Sequence, residues 1–163
     1  TPGSFFGWRI HLLQPQDPSD STSKGFALIP RQDQGHTHGE ETPRPSLEAG
    51  KFSIDYFSLF QQAQDDPSSP YFQESGLTPE DWILAFMTHL TETGKPLDDW
   101  QNDVESITYL TGAFFPSVNN FPFAPCACWY RVVRRAGLFR GVPRNRVGYL
   151  GVRSSVMIQN LVP

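Results

Sequence analysis

Between Thr78 and Gly112 the chain carries two apolar-periodic segments on either side of Gly94-Lys95-Pro96, and any fold must bury what they present. The first opens with Thr78 as an N-cap hydroxyl and Pro79 at the first helical position. Glu80 and Asp81 follow in the first turn, where the helix dipole favours acids. Ile83, Phe86, Met87 and Leu90 then recur at the 3, 4 and 7 spacing of one helix face, with Trp82 beside them. Beyond the breaker, Leu97, Trp100, Val104, Ile107 and Leu110 fall on a single stripe, with Asp98, Asp99, Asp103 and Glu105 away from it. The pattern predicts a second helix, and hence a helical hairpin with an acidic outer face. Each large apolar side chain it buries contributes roughly 1.5–3 kcal/mol, enough in sum to anchor a core against chain entropy.

Length and composition bound the rest. A chain of 163 residues suits a single domain over 1–163 that needs neither metal nor disulfide to hold its core. Thirteen Phe and four Trp exclude a disordered chain, while 15 Pro and 13 Gly predict many irregular loops. No apolar run approaches the roughly 18–20 residues that span a bilayer. Cys126 and Cys128 are too close in sequence for an ordinary disulfide and are read as free thiols. Together these features predict a soluble, intracellular protein without membrane contact, although a processed signal peptide would leave no trace and secretion stays open.

Taken in order, residues 5–13 predict a strand, and 25–29 a second strand closed by Pro30, the two forming a long-looped hairpin. Residues 31–50 are polar and aperiodic, a long loop. Within it, His36, His38 and Glu40 form the densest group of potential metal ligands, similar to the first motif of cupins. A cupin glutamate would fall where this chain has Thr42 and Pro43, so a solvated loop is the favoured reading. Tyr56, Phe57, Phe60 and Ala63 predict a short helix over 52–64 with Ser53 as N-cap, a strand being the runner-up. His89, near the apolar stripe of the first hairpin helix, reads as a structural histidine. From Pro125 to Gly137, helical spacing puts Trp129, Val132, Val133 and Ala136 on one face and Arg131, Arg134 and Arg135 opposite. Pro125 near its start and Gly137 at C′ favour that helix over a strand, both of whose faces would mix arginine with apolar residues. Short strands near 147–150 and 152–158 close the chain. The fold expected is α+β: a central helical hairpin and additional helices packed on a small, mainly antiparallel sheet built from both ends of the chain.

For function, the net charge of −4 conceals a strong polarity. All 17 acidic residues lie at or before Glu105, and residues 106–163 carry seven arginines and no carboxylate side chain. Arg131, Arg134 and Arg135 on the expected helix, and Arg140, Arg144 and Arg146 after it, interleave with Tyr130 and Phe139. Such a surface neutralises anions and stacks on bases. The leading expectation is therefore a non-enzymatic binding or assembly protein whose partner is RNA, DNA or an acidic protein. The competing arrangement is internal, with these arginines pairing to the acids of 98–105. The alternative function is a thiol-dependent hydrolase or transferase, since a helix N-terminus beside arginines would activate Cys126 or Cys128. Cys126-Ala127-Cys128-Trp129 is faintly similar to the Cys-x-x-Cys-Trp of papain-like enzymes. No histidine follows Cys128, so the base in that reading is upstream His11 in a permuted order. No glycine-rich phosphate loop, serine elbow or Cys/His zinc pattern is present, and no cofactor is expected.

Overall fold

The computed structural model describes residues 7–13, 25–26, 29, 45–99, 107–113, 123–141 and 147–159. Two α-helices form where local signals are strongest. Helix α1, Ser53–Ala63, starts one residue earlier than expected: Phe52 is the N-cap, and its backbone N–H donates to the Asp55 carboxylate at 3.1 Å. Helix α2, Pro79–Thr93, is closed at its start by a reciprocal pair in which Thr78 Oγ1 accepts from the Asp81 N–H and the Asp81 carboxylate accepts from the Thr78 N–H. It ends at Gly94, whose φ of 70° suits a residue without Cβ and whose N–H returns to the Leu90 carbonyl at 2.9 Å.

Strands β1 (Gly7–Leu12), β2 (Glu74–Gly76) and β7 (Ser154–Gln159) form a three-stranded antiparallel sheet in the order β1-β7-β2. The first and last strands thus pair. Strands β3 (Ile107–Tyr109), β4 (Pro125–Tyr130), β5 (Arg135–Arg140) and β6 (Leu150–Val152) form a second sheet in the order β5-β4-β3-β6. In it β3 runs antiparallel to β4 and parallel to β6. One helix covers each face. Tyr56, Phe60 and Ala63 of α1 pack with Ile107, Tyr109, Cys126, Cys128, Leu150 and Val152. Trp82, Ala85 and Phe86 of α2 pack with Ala127, Leu97 and Leu110 on the other side. The three residues of β3 are all buried, as a central strand covered on both faces must be.

This architecture corrects several expectations. Among the described residues there are two α-helices and a short 3-10 turn at Pro45–Leu47, not several helices on one sheet, so the class remains α+β with a different layering. Where the second arm of the expected helical hairpin falls on described residues, at 97–99 and 107–110, it is not helical, and residues 100–106 lie outside the described residues. Asp98 has a φ of 55°, which a right-handed helix cannot continue, Asp99 bridges to Trp129, and Ile107–Tyr109 is strand. The expected helix over 125–137 is instead the β4–β5 hairpin. Strand β1 pairs with β7, and residues 27–28 of the segment expected to pair with it lie outside the described residues. On α2 the buried stripe is Trp82, Ala85, Phe86 and His89, so Ile83 and Met87 face outward. That rotation follows Trp82, whose indole N–H finds a buried acceptor in Asp98. At the end of the expected polar loop, Leu47 and Ala49 are buried and the Gly50 N–H donates to the Leu150 carbonyl at 2.8 Å. Among the described residues no helix is long and apolar enough to cross a membrane.

Candidate functional site

The β4–β5 hairpin carries most of the sequence-predicted binding residues. Its register pairs Tyr130 with Arg135, Cys128 with Gly137 and Cys126 with Phe139 on one face, and Trp129 with Ala136 and Ala127 with Leu138 on the other. Arg131–Arg134 form the connecting turn, closed by a bond from the Arg134 N–H to the Arg131 carbonyl at 3.3 Å. Gly137 leaves room for the Tyr130 ring, which a Cβ there would force to shift.

The arginines do not share one face. Arg131 turns back to Asp99, its Nε donating to Oδ2 at 2.8 Å with Nη2 on the same oxygen. This is the internal pairing weighed from sequence, and Asp99 is buried while the arginine stays half exposed. Arg140 lies over the Phe123 ring, 3.3 Å from its centroid, a cation–π contact. Arg134 and Arg135 are exposed at the tip and, among the described residues, have no carboxylate partner. Exposed Val132 and Val133 sit between Arg131 and this pair. Tyr130 packs on Phe139 at 6.0 Å between centroids, so it supports the hairpin rather than projecting from it. Arg144 and Arg146 lie outside the described residues.

Beneath the hairpin is a polar cluster that sequence reasoning missed. Asp98 is 2% exposed and Arg153 7%, and Arg153 Nη2 donates to Asp98 Oδ1 at 2.9 Å. The other carboxylate oxygen accepts from Trp82 Nε1 at 2.8 Å and Thr108 Oγ1 at 2.5 Å. The Asp98 carbonyl accepts from the Trp129 N–H at 2.9 Å, so the cluster fastens the 97–99 segment to β4. Its charges are balanced and enclosed, which makes it a clamp rather than a ligand cradle.

The thiol reading loses its geometric premise. Cys126 and Cys128 are buried in a strand, not at a helix N-terminus. Burial, first, and their mutual proximity push Cys126 up to about 12, and burial pushes Cys128 up to about 11. Both thiols face α1, whereas His11 lies with Arg9 near Asp81 at the start of α2, its Nε2 3.9 Å from that carboxylate. Neither thiol is therefore poised as a thiolate. His89 is buried, accepts the Phe26 N–H on Nδ1 at 3.2 Å and lies tilted against the Phe26 ring, a structural role. His36, His38 and Glu40 lie outside the described residues, among which no group of three ligating side chains is assembled. Comparison with protein-family models, curated proteins and solved structures finds no match to this chain.

Proposed function

We propose that the chain is a non-enzymatic binding or assembly protein that uses the β4–β5 hairpin to engage an acidic protein surface. The observation that carries this reading is the tip itself. Arg134 and Arg135 are exposed without a carboxylate partner among the described residues, beside Val133 and a Val132 that is 76% exposed. Two unneutralised guanidiniums next to two bare valines fit a partner that offers carboxylates and apolar contact together. A polynucleotide favours a continuous row of free cations, and here Arg131 is neutralised by Asp99, while Arg140, still charged against the Phe123 ring, stands at the far end of β5 from Arg134 and Arg135.

Fluorescence anisotropy with three probes tests this: the acidic-aromatic copolymer poly(Glu,Tyr), poly-Glu and poly(U). The copolymer should bind more tightly than poly-Glu. Its affinity should fall about tenfold between roughly 50 and 200 mM salt, as two charge contacts imply, against about three-hundredfold for six phosphate contacts on a single strand. Replacing Arg134 and Arg135 by Ala should abolish binding while the chain stays folded. Steep, salt-sensitive capture of poly(U) moves the reading to nucleic acid, and indifference to all three probes overturns it.

A further inference from the structure

We propose that β5 is an acceptor edge to which an extended acidic peptide adds as a fifth strand of the four-stranded sheet. This rests on the reading of the hairpin as a binding element and names the kind of partner and the mode of its docking. Strand β5 is terminal in the order β5-β4-β3-β6. The Gly141 N–H donates to the Ala124 carbonyl at 3.1 Å, which makes Ala124 and Gly141 a hydrogen-bonded antiparallel pair. Such pairs alternate along a ladder. Continuing the register, Cys126/Phe139, Cys128/Gly137 and Tyr130/Arg135 are bonded pairs, while Arg140, Leu138 and Ala136 direct their backbone N–H and C=O groups away from β4. Those groups form a row of donors and acceptors with no partner among the described residues.

Natural sheets blunt a six-residue edge with charge or cover it, because it templates pairing with another chain. Here the charge is all of one sign. Arg134 and Arg135 stand at one end and Arg140 at the other, and the sequence holds no carboxylate side chain from residue 106 onward. This edge repels a basic strand and attracts an acidic one. Leu138 is half exposed on the face it shares with Ala136 and Arg140, and Phe139 is partly buried on the face it shares with Gly137 and Arg135. A complementary strand therefore places carboxylates opposite Arg135 and Arg140 and apolar residues between them. Backbone hydrogen bonds supply affinity and the end charges fix register, the division of labour seen in strand addition generally.

The test uses the full chain, labelled with 15N, and the probe Glu-Val-Val-Thr-Val-Glu with blocked ends. Amide exchange at Ala136, Leu138 and Arg140 should slow at least about tenfold on saturation, while Gly137 and Phe139, already bonded to β4, should not change. A probe N-methylated at alternate residues should bind at least about tenfold more weakly. Leu138→Pro removes one outward donor at a position where an edge strand accepts proline, and should weaken binding to a similar extent. If that variant does not fold, the N-methylated probe decides. Binding with unprotected edge amides and an equally good N-methylated probe overturns strand addition and leaves the hairpin reading standing. So does capture of poly(Glu,Tyr) without capture of the hexapeptide. Failure of both probes overturns both readings.

Discussion

Four separate parts of the chain converge on Asp98. Its carboxylate takes an indole N–H from α2, a hydroxyl from β3 and a guanidinium from the residue between β6 and β7, while its carbonyl holds β4. A buried arginine is tolerable only beside a carboxylate whose remaining lone pairs are also satisfied. Asp98→Asn keeps the shape and, at a φ of 55°, keeps a residue type that accepts the left-handed region. It should nonetheless cost about 3–5 kcal/mol in urea denaturation, because the buried ion pair between Asp98 and Arg153 is broken. Adding Arg153→Met should return part of that loss, so the double variant should be less destabilised than the sum of the two singles. Strict additivity would mean that the two side chains do not act as a pair. No local pattern announces this contact. Asp98 falls on the polar side of a helical wheel, and its arginine lies 55 residues further on.

At the scale of elements, what was legible is what is local. The start of α2 is written within four residues by its cap and acids, whereas α1 forms where its apolar spacing puts it, with Phe52 rather than Ser53 as its N-cap. Which face of α2 is buried depends instead on the sheet it meets. Phe86 stacks between Trp82 at 5.1 Å and Trp129 at 5.8 Å, while Met87 is exposed. Phe86→Ala should therefore cost about 3–5 kcal/mol, and Met87→Ala should stay within about 0.5 kcal/mol. Thermal denaturation of the two variants separates them, and equal losses would restore the stripe read from spacing. The β4–β5 hairpin was misread for a related reason. A face-by-face count treats arginine as incompatible with a strand, yet Arg131 and Arg134 leave through the turn and Arg135 and Arg140 lie at the ends of an edge strand. The candidate site was therefore legible as a set of residues but not as a shape. Its tip, its open edge and the clamp beneath it depend on strand order, which is a long-range property.

The whole molecule places its neutral titratable groups on both sides of the four-stranded sheet, which fixes the form of its pH dependence. On the α1 side, burial raises Cys126 to about 12 and Cys128 to about 11, from an ordinary value near 9, and raises the Tyr56 and Tyr109 phenols above 10. Folded values above unfolded ones mean that the stabilisation is complete below pH of about 9 and is lost as pH climbs toward 12. On the α2 side, burial, and then Arg153, lowers His89 below 6.5, with Lys95 acting in the same sense and Asp98 and Glu92 opposing. A folded value below the unfolded one gives the opposite sign, with stabilisation present above pH of about 6.5 and lost as pH falls below it. The geometry agrees, since a proton on Nδ1 would replace the acceptor of the Phe26 N–H with a second donor. Unfolding free energy measured against pH should thus show a plateau from about 6.5 to 9 with a limb on each side. Replacing both cysteines by Ala should make the alkaline limb shallower, leaving the part that belongs to the phenols, and spare the acid one. His89→Gln, neutral but still able to accept, should flatten the acid limb between about pH 6.5 and 5, above the range in which unperturbed carboxylates titrate. An alkaline limb unchanged without the thiols would assign it to the phenols alone. An acid limb unchanged without the imidazole would mean that the Phe26 contact does not contribute to the folding free energy.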